Sequence, residues 1–242
     1  MEAALEAVAQ MENYGRKESE LAGDLNVALP ETLLSYRMQP VIEAFRRQAP
    51  NVRLSLQLSN CYLIREQVIS GGIDIGIHYD VGGYGSSAVT ERLSSYPLVL
   101  AASTGLSGKE LNFTDRHQRK SSCLLTVDKN SIYHKLFARY LTDMDIVLNG
   151  EMEIGSVEAI KRCIQSNLGV AFLPRFTVED ELRQGMQPLW HTLLFIKSQY
   201  SSPKRLYPVS IPVQRFHFPV AVIRLDTHFL FHSRIVNQYR II

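Results

Sequence analysis

Apolar and polar positions along residues 23–78 fall into three short alternating runs separated by two stretches of longer period. Residues 24–28 are brief and β-prone. Residues 53–58 place Leu54, Leu56 and Leu58 at every second position, the period of a half-buried strand. Residues 74–78, with Ile75 and Ile77, form the third run. Between the first two, Leu33, Leu34, Val41, Ile42 and Phe45 recur at helical spacing and stop before Pro50. Between the second and third, Leu63, Ile64, Val68 and Ile69 do the same and stop at Gly71 and Gly72, a helix C-terminal signal. Strand, helix, strand, helix, strand predicts a parallel α/β sheet, in which ligands sit at the carboxyl ends of the strands.

Further along, residues 81–87 read as a flexible loop rich in glycine and serine, and residues 96–102 as a fourth strand. Residues 106–120 are polar and irregular, which predicts an exposed excursion. A strand at 122–127 then opens a second subdomain. A helix at 132–141 carries Leu136, Phe137 and Tyr140 on one side, and residues 146–154 alternate as a strand. Ser156 caps a helix with Val157, Ile160, Cys163 and Ile164 on one face, closed by Gly169. Residues 177–182 make a short last helix, with Gly185 as its stop. At the start of the chain, Leu5, Val8 and Met11 predict a helix over 2–20 with a narrow apolar stripe.

After Pro188 the pattern changes. Nine of the 22 aromatic residues and four of the seven histidines lie between Trp190 and Ile242, with Asp226 the single carboxylate. Neither a convincing strand nor a capped helix is visible there. Such text arises from a shifted reading frame or from a divergent closing segment. A shifted frame would leave apolar docking surface on the first subdomain uncovered.

A formal charge of +2 without any Lys/Arg block argues against a nucleic-acid-binding face in this chain. Cys61, Cys123 and Cys163 have no C-x-x-C spacing, which argues against a disulfide framework or zinc site and fits a reducing, cytoplasmic setting. The first residues lack the signature of a signal peptide, and no apolar run is long enough to span a membrane. No metal is expected, because the histidines lack ligand spacing. No cofactor is expected either, since residues 82–85 lack the strand–turn–helix context of a phosphate loop.

Candidate chemistry gathers at predicted strand ends. Thr32 follows the first strand at a helix start, where a hydroxyl and unpaired N–H groups favour an anion. Its alternative role is to cap that helix, in which Pro40 forces a kink unless the helix begins later. Ser59, Asn60 and Cys61 reach the same edge. Asn60 is a ligand contact or an N-cap, and Cys61 a low-pKa thiol or an inert small residue. His78, Tyr79 and Asp80 follow the third strand, as pocket lining or as an acid–base pair. In the second subdomain Thr126, Val127 and Asp128 end a strand and Ser156 opens a helix. Ser103 and Thr104 stand where the chain crosses between subdomains. Without a serine or cysteine nucleophile motif, binding is the expected role, not catalysis.

Two blocks carry a family resemblance. Phe45, Arg46, Pro50, Val52 and Leu54 are followed by Gly71, Asp74, Ile75, Gly76 and Ile77; downstream, Gly155, Ser156, Val157 and Ile160 precede Gly169, Ala171, Leu173 and Pro174. In this order and separation they resemble the effector-binding domain of LysR-type transcriptional regulators over roughly residues 20–188. The resemblance implies a two-subdomain, periplasmic-binding-protein-like α/β fold with parallel and mixed sheets and a cleft between them. It implies a partial linker helix at 1–22, subdomain I at 23–104 and subdomain II at 105–188, leaving 189–242 uncertain. In that family a Ser or Thr at the position of Thr32 contacts the effector, and the helix opened by Ser156 closes on it. A small polar or anionic metabolite, a homodimer joined through the helices at 38–48 and 157–167, and DNA contact only through a winged helix-turn-helix absent here are further implications. The chain then begins part-way along the linker, as a gene fragment or a mis-assigned start would. Two other classes share the scaffold. A solute-binding protein of the periplasmic type is disfavoured by the missing signal peptide, and a cytosolic enzyme using His78 and Asp80 would show saturable turnover.

Overall fold

The computed structural model describes residues 21–85, 88–103, 105–106 and 108–179, together with the backbone of 217–225. The expected helix at 2–20, most of the last helix at 177–182, and most of the segment after 188 lie outside the described residues. The chain divides into two compact units, with borders between Ser94 and Ser95 and between Pro219 and Val220. The first border falls inside strand β4 (Ala88–Ala101) rather than after it, since Leu98 to Ala101 pair within unit 2.

Unit 1 is built on β1 (Ala22–Leu29), β2 (Asn51–Leu58), β3 (Ile75–Tyr79) and β10 (His217–Leu225), ordered β2-β1-β3-β10. β1 pairs in parallel with both neighbours, and β10 closes antiparallel on β3 through Val220 to Ile223. The sequence pattern showed no convincing strand there. Pro219 interrupts that run, but it precedes the residues that pair with β3, so its missing N–H removes no bond of that ladder. Asp74 explains part of the Gly71-to-Ile77 motif: its carboxylate accepts from the Asn26 N–H at 2.7 Å, fastening the entry of β3 to β1.

After β1 comes a single α-helical turn, α1 (Glu31–Leu33), then a π-helical turn (Leu34–Met38), then α2 (Gln39–Gln48). Pro40 sits in the first turn of α2, where its missing N–H is tolerated, and the wide π turn absorbs the expected kink. α3 (Cys61–Ile69) starts under the Asn60 cap and ends in a Schellman motif. Gly71 takes φ 77° there, its N–H bonds to Val68 O, and the Gly72 N–H bonds to Gln67 O. β2 is less buried than its alternation predicts. As the outer strand it buries Val52 but leaves Leu56 and Leu58 37% and 53% exposed.

Unit 2 orders β4-β9-β6-β8, where β6 is Cys123–Thr126, β8 Gly150–Glu153 and β9 Gly169–Pro174. β6 runs parallel to β8 and β9, and β4 antiparallel to β9. The single strand expected over 146–154 is two: β7 (Ile146–Val147) pairs with β5 (Gln118–Arg119), and β8 pairs with β6. Helices α5 (Ile132–Asp143) and α6 (Val157–Gln165) pack on this sheet. Gly169 does not close α6, as its position suggested. Asn167, at φ 58°, occupies that left-handed position, and the Leu168 N–H returns to Cys163 O.

The excursion over 106–120, expected to be exposed, is anchored. α4 (Gly108–Leu111) leads to the fully buried Phe113 and the nearly buried Lys120. The Lys120 ammonium donates to Lys109 O, to Asn112 O at 2.6 Å and to Gln118 Oε1 at 2.7 Å, and stands 4.9 Å from the Phe113 ring. Burial pulls its pKa below the usual lysine range, against the pull of Glu110 and Asp115. Lys120→Met keeps the stem and strands three acceptors, so we expect a loss of about 2–4 kcal/mol in urea unfolding. A change below about 0.5 kcal/mol, typical of surface substitutions, would show that the cage is not anchored by its charge.

Candidate functional site

The carboxyl ends of β1, β2 and β3 share one edge of unit 1, and five of the residues singled out from sequence arrive there: Thr32, Asn60, Cys61, His78 and Tyr79. Thr32 does not cap its helix. Pro30 holds the cap position, and the buried Thr32 hydroxyl lies 2.9 Å from the Tyr79 hydroxyl. Asn60 does cap: its Oδ1 accepts from the Leu63 N–H at 3.1 Å. Cys61, the first residue of α3, is buried and outside any disulfide.

His78 is fully buried. Its Nδ1 lies 2.8 Å from Tyr79 O, and because a carbonyl only accepts, that nitrogen carries the proton. Nε2 is left without a hydrogen-bond partner. Burial is the main cause that pulls the His78 pKa below the usual histidine range; the Tyr79 carbonyl and Asp80 oppose it, and Arg65 adds to it. Asp80 forms no acid–base pair with His78. Its Oδ1 accepts from the Gly82 N–H at 2.9 Å and from the Tyr84 hydroxyl at 2.7 Å.

These bonds change the picture of residues 81–85, which the glycines suggested would be flexible. The Tyr84 hydroxyl also accepts from the Val81 N–H at 3.1 Å, and the Arg65 guanidinium donates to Gly82 O at 3.2 Å. Tyr84 packs against the cluster of Ala28, Ile64, Val68 and Ile73, its ring centroid 5.9 Å from that of His78. Burial, reinforced by Asp80, raises the Tyr84 pKa well above the ordinary tyrosine value. The glycines supply the positive φ angles of a tight loop that this bonding then fixes. Neither Arg65 nor Tyr84 was singled out from sequence, since a lone tyrosine among glycines and one arginine on a helix carry no pattern.

In unit 2, Thr126, Asp128 and Ser156 meet at the carboxyl ends of β6 and β8. The Thr126 hydroxyl donates to Asp128 O at 3.2 Å, and Thr126 O accepts from the Ile154 N–H at 2.7 Å. Ser156 occupies the N-cap of α6, but its side chain makes no capping bond. Ser103 is not among them. The antiparallel register of β4 on β9 delivers it to the opposite, amino-terminal end of β6 and β9, where its Oγ accepts from the Gly105 N–H in a turn. Thr104 lies outside the described residues. Among the described residues no group of three or more His, Cys, Asp and Glu side chains is arranged to hold a metal ion.

A two-unit mixed α/β fold with polar residues at parallel strand ends is the architecture of a small-molecule-binding module. Residues 18–187 match the family model for the LysR substrate binding domain, and the chain belongs to that family. It is 39% identical over 171 residues to the uncharacterized HTH-type transcriptional regulator YfiE of Escherichia coli (strain K12), covering 70% of this chain and 57% of that protein. It is 32% identical over 169 residues to the uncharacterized HTH-type transcriptional regulator YwqM of Bacillus subtilis (strain 168), covering 69% and 57%. The chain thus spans little more than half the length of these relatives.

Solved structures share the fold. ArgP from Mycobacterium tuberculosis superposes with a TM-score of 0.71 at 10% identity, covering 99% of this chain and 73% of that one. The CcmR regulatory domain from Synechocystis PCC6803 in complex with 2-PG gives 0.64 at 17% identity, covering 90% and 96%.

Proposed function

We propose that this chain is the effector-sensing part of a LysR-type transcriptional regulator, binding a small polar or anionic metabolite without chemical turnover. The observation that carries the reading is the convergence of Thr32, Asn60, Cys61, His78 and Tyr79 on one carboxyl strand edge of a family member. In unit 2, Thr126, Asp128 and the uncapping hydroxyl of Ser156 are the corresponding polar groups. Ser103, held in a turn at the other sheet end, is outside this set. Effector binding shifts transcription only so far as the ligand prefers one state of the domain over another. DNA contact belongs to a helix-turn-helix, as the names of the relatives record. Those names favour a cytoplasmic regulator over a solute-binding protein, and no described helix is long and apolar enough to cross a membrane. A homodimer accounts for the exposed Leu56 and Leu58 of the outer strand, which a second copy would cover.

Isothermal titration with sulfate and with 2-PG as probes tests the reading. Binding that weakens about tenfold in Thr32→Val and Ser156→Ala, the worth of one hydrogen bond to a charged group, is the expected result. Binding indifferent to both substitutions, or none to any small carboxylate, phosphate ester or sulfate, overturns it.

A further inference from the structure

The geometry points to a proton-operated strap at the end of β3, in which Asp80 either braces the loop at 81–85 or pairs with a protonated His78. In this fold Asp80 spends its Oδ1 on the loop, accepting from the Gly82 N–H and the Tyr84 hydroxyl. His78 lies two residues earlier, and alternation along an extended chain puts both side chains on the same side. The ring is buried beneath Tyr84, with Nε2 an unpartnered acceptor. A proton arriving at Nε2 creates a buried cation that needs a counter-charge.

The surroundings offer one. From α3 the charged neighbour is Arg65, which repels an imidazolium; from the loop the titratable neighbour is Tyr84, which stays neutral. From β1, Ala28 shares this face, and in β10 the residue opposite His78 is Ala221, so neither strand brings a charge in register. Among the described residues Asp80 is the one acid acting on the ring. When it turns to His78, Gly82 and Tyr84 lose their shared acceptor and the loop is left with the Arg65 bond to Gly82 O and the Tyr84 bond to Val81. Tyr84 then lifts from the Ala28, Ile64, Val68 and Ile73 cluster, and water reaches the ring.

The sign follows from burial. His78 is held below its ordinary pKa of about 6.5, so as pH falls the open or unfolded chain takes up the proton first. The closed loop is therefore fully stable above about pH 6.5 and loses stability below it.

Amide hydrogen exchange of Val81 and Gly82 in the full chain reads the strap directly, because both N–H groups donate within it. With intrinsic rates corrected, protection is expected to fall at least about tenfold between about pH 8 and about pH 5 in the native chain. Asp80→Asn keeps an acceptor for Gly82 but offers no charge to the protonated ring in the open state, so its protection should fall clearly less with pH than in the native chain. His78→Gln removes the titrating group and should be flat, and if that variant does not fold the smaller loss in the Asn variant decides. Constant protection in the native chain, or an equal loss in Asp80→Asn, overturns the strap. The measurement needs no ligand, so it stands or falls apart from the effector reading.

Discussion

Gly169→Ala is expected to cost at least about 3 kcal/mol, beyond the usual range for one added methyl, and to leave unit 2 largely unfolded in mild urea. A Cβ at Gly169 would stand 2.2 Å from Cys123 O, 3.0 Å from Cys123 C and 3.1 Å from Leu125 Cγ. The first two obstacles are backbone, fixed in the parallel ladder that pairs Cys123 with Gly169 and Leu125 with Ala171. Relief requires β6 and β9 to separate, and every residue of β9 is buried. Gly150 is the internal control. It flanks the same Cys123 from β8, yet its Cβ would meet only Cys123 Sγ at an ordinary 3.6 Å. Gly150→Ala should therefore change the urea midpoint little. Equal effects of the two substitutions would refute the close-approach explanation of Gly169.

The same glycine shows where sequence reading reaches its limit. Periodicity located β1, β3, α3, α5 and α6 because one face of each is buried and the pattern of apolar positions records it. Gly169 was visible as well, but its role was misassigned to helix termination. A helix stop and a close backbone contact both ask for glycine, and only the β6–β9 register tells them apart. The anchored stretch over 106–120 was illegible for a related reason. Lys120 and Glu110 read as surface charges, and only the fold shows three oxygens around the ammonium and the Ser121 and Ser122 N–H groups around the carboxylate. At the candidate site, strand ends were predictable and side-chain partners were not. Thr32 was legible at the end of β1, whereas its bond to Tyr79, 47 positions away, depends on how β1 and β3 align. For Ser103 the sequence offered only a crossing point between subdomains, and the sheet end it reaches follows from the antiparallel register of β4 on β9.

Phe137→Ala should destabilise unit 2 by about 3–5 kcal/mol, the cost of emptying a buried phenylalanine site. Phe137 is fully buried on α5, and its ring stacks on Phe172 of β9 at 5.0 Å between centroids. The same ring lies 5.9 Å from Phe113 and 6.3 Å from Tyr140. One side chain thus joins the helix, the central strand and the excursion that Lys120 anchors. Collapse cannot refill the space easily, since Tyr140 is tied by its hydroxyl to Phe113 O at 2.6 Å and Phe113 itself lies against the Lys120 ammonium. Phe137→Leu retains most of the apolar volume and should cost under half as much. Urea unfolding with an unchanged slope measures both. A loss near 1 kcal/mol for the alanine variant would mean that Phe113 and Phe172 close over the vacancy, and that the three elements are held by their hydrogen bonds more than by this ring. A full loss, accompanied by faster proteolysis over residues 108–120, would show that the anchored excursion depends on the aromatic stack as much as on its buried lysine.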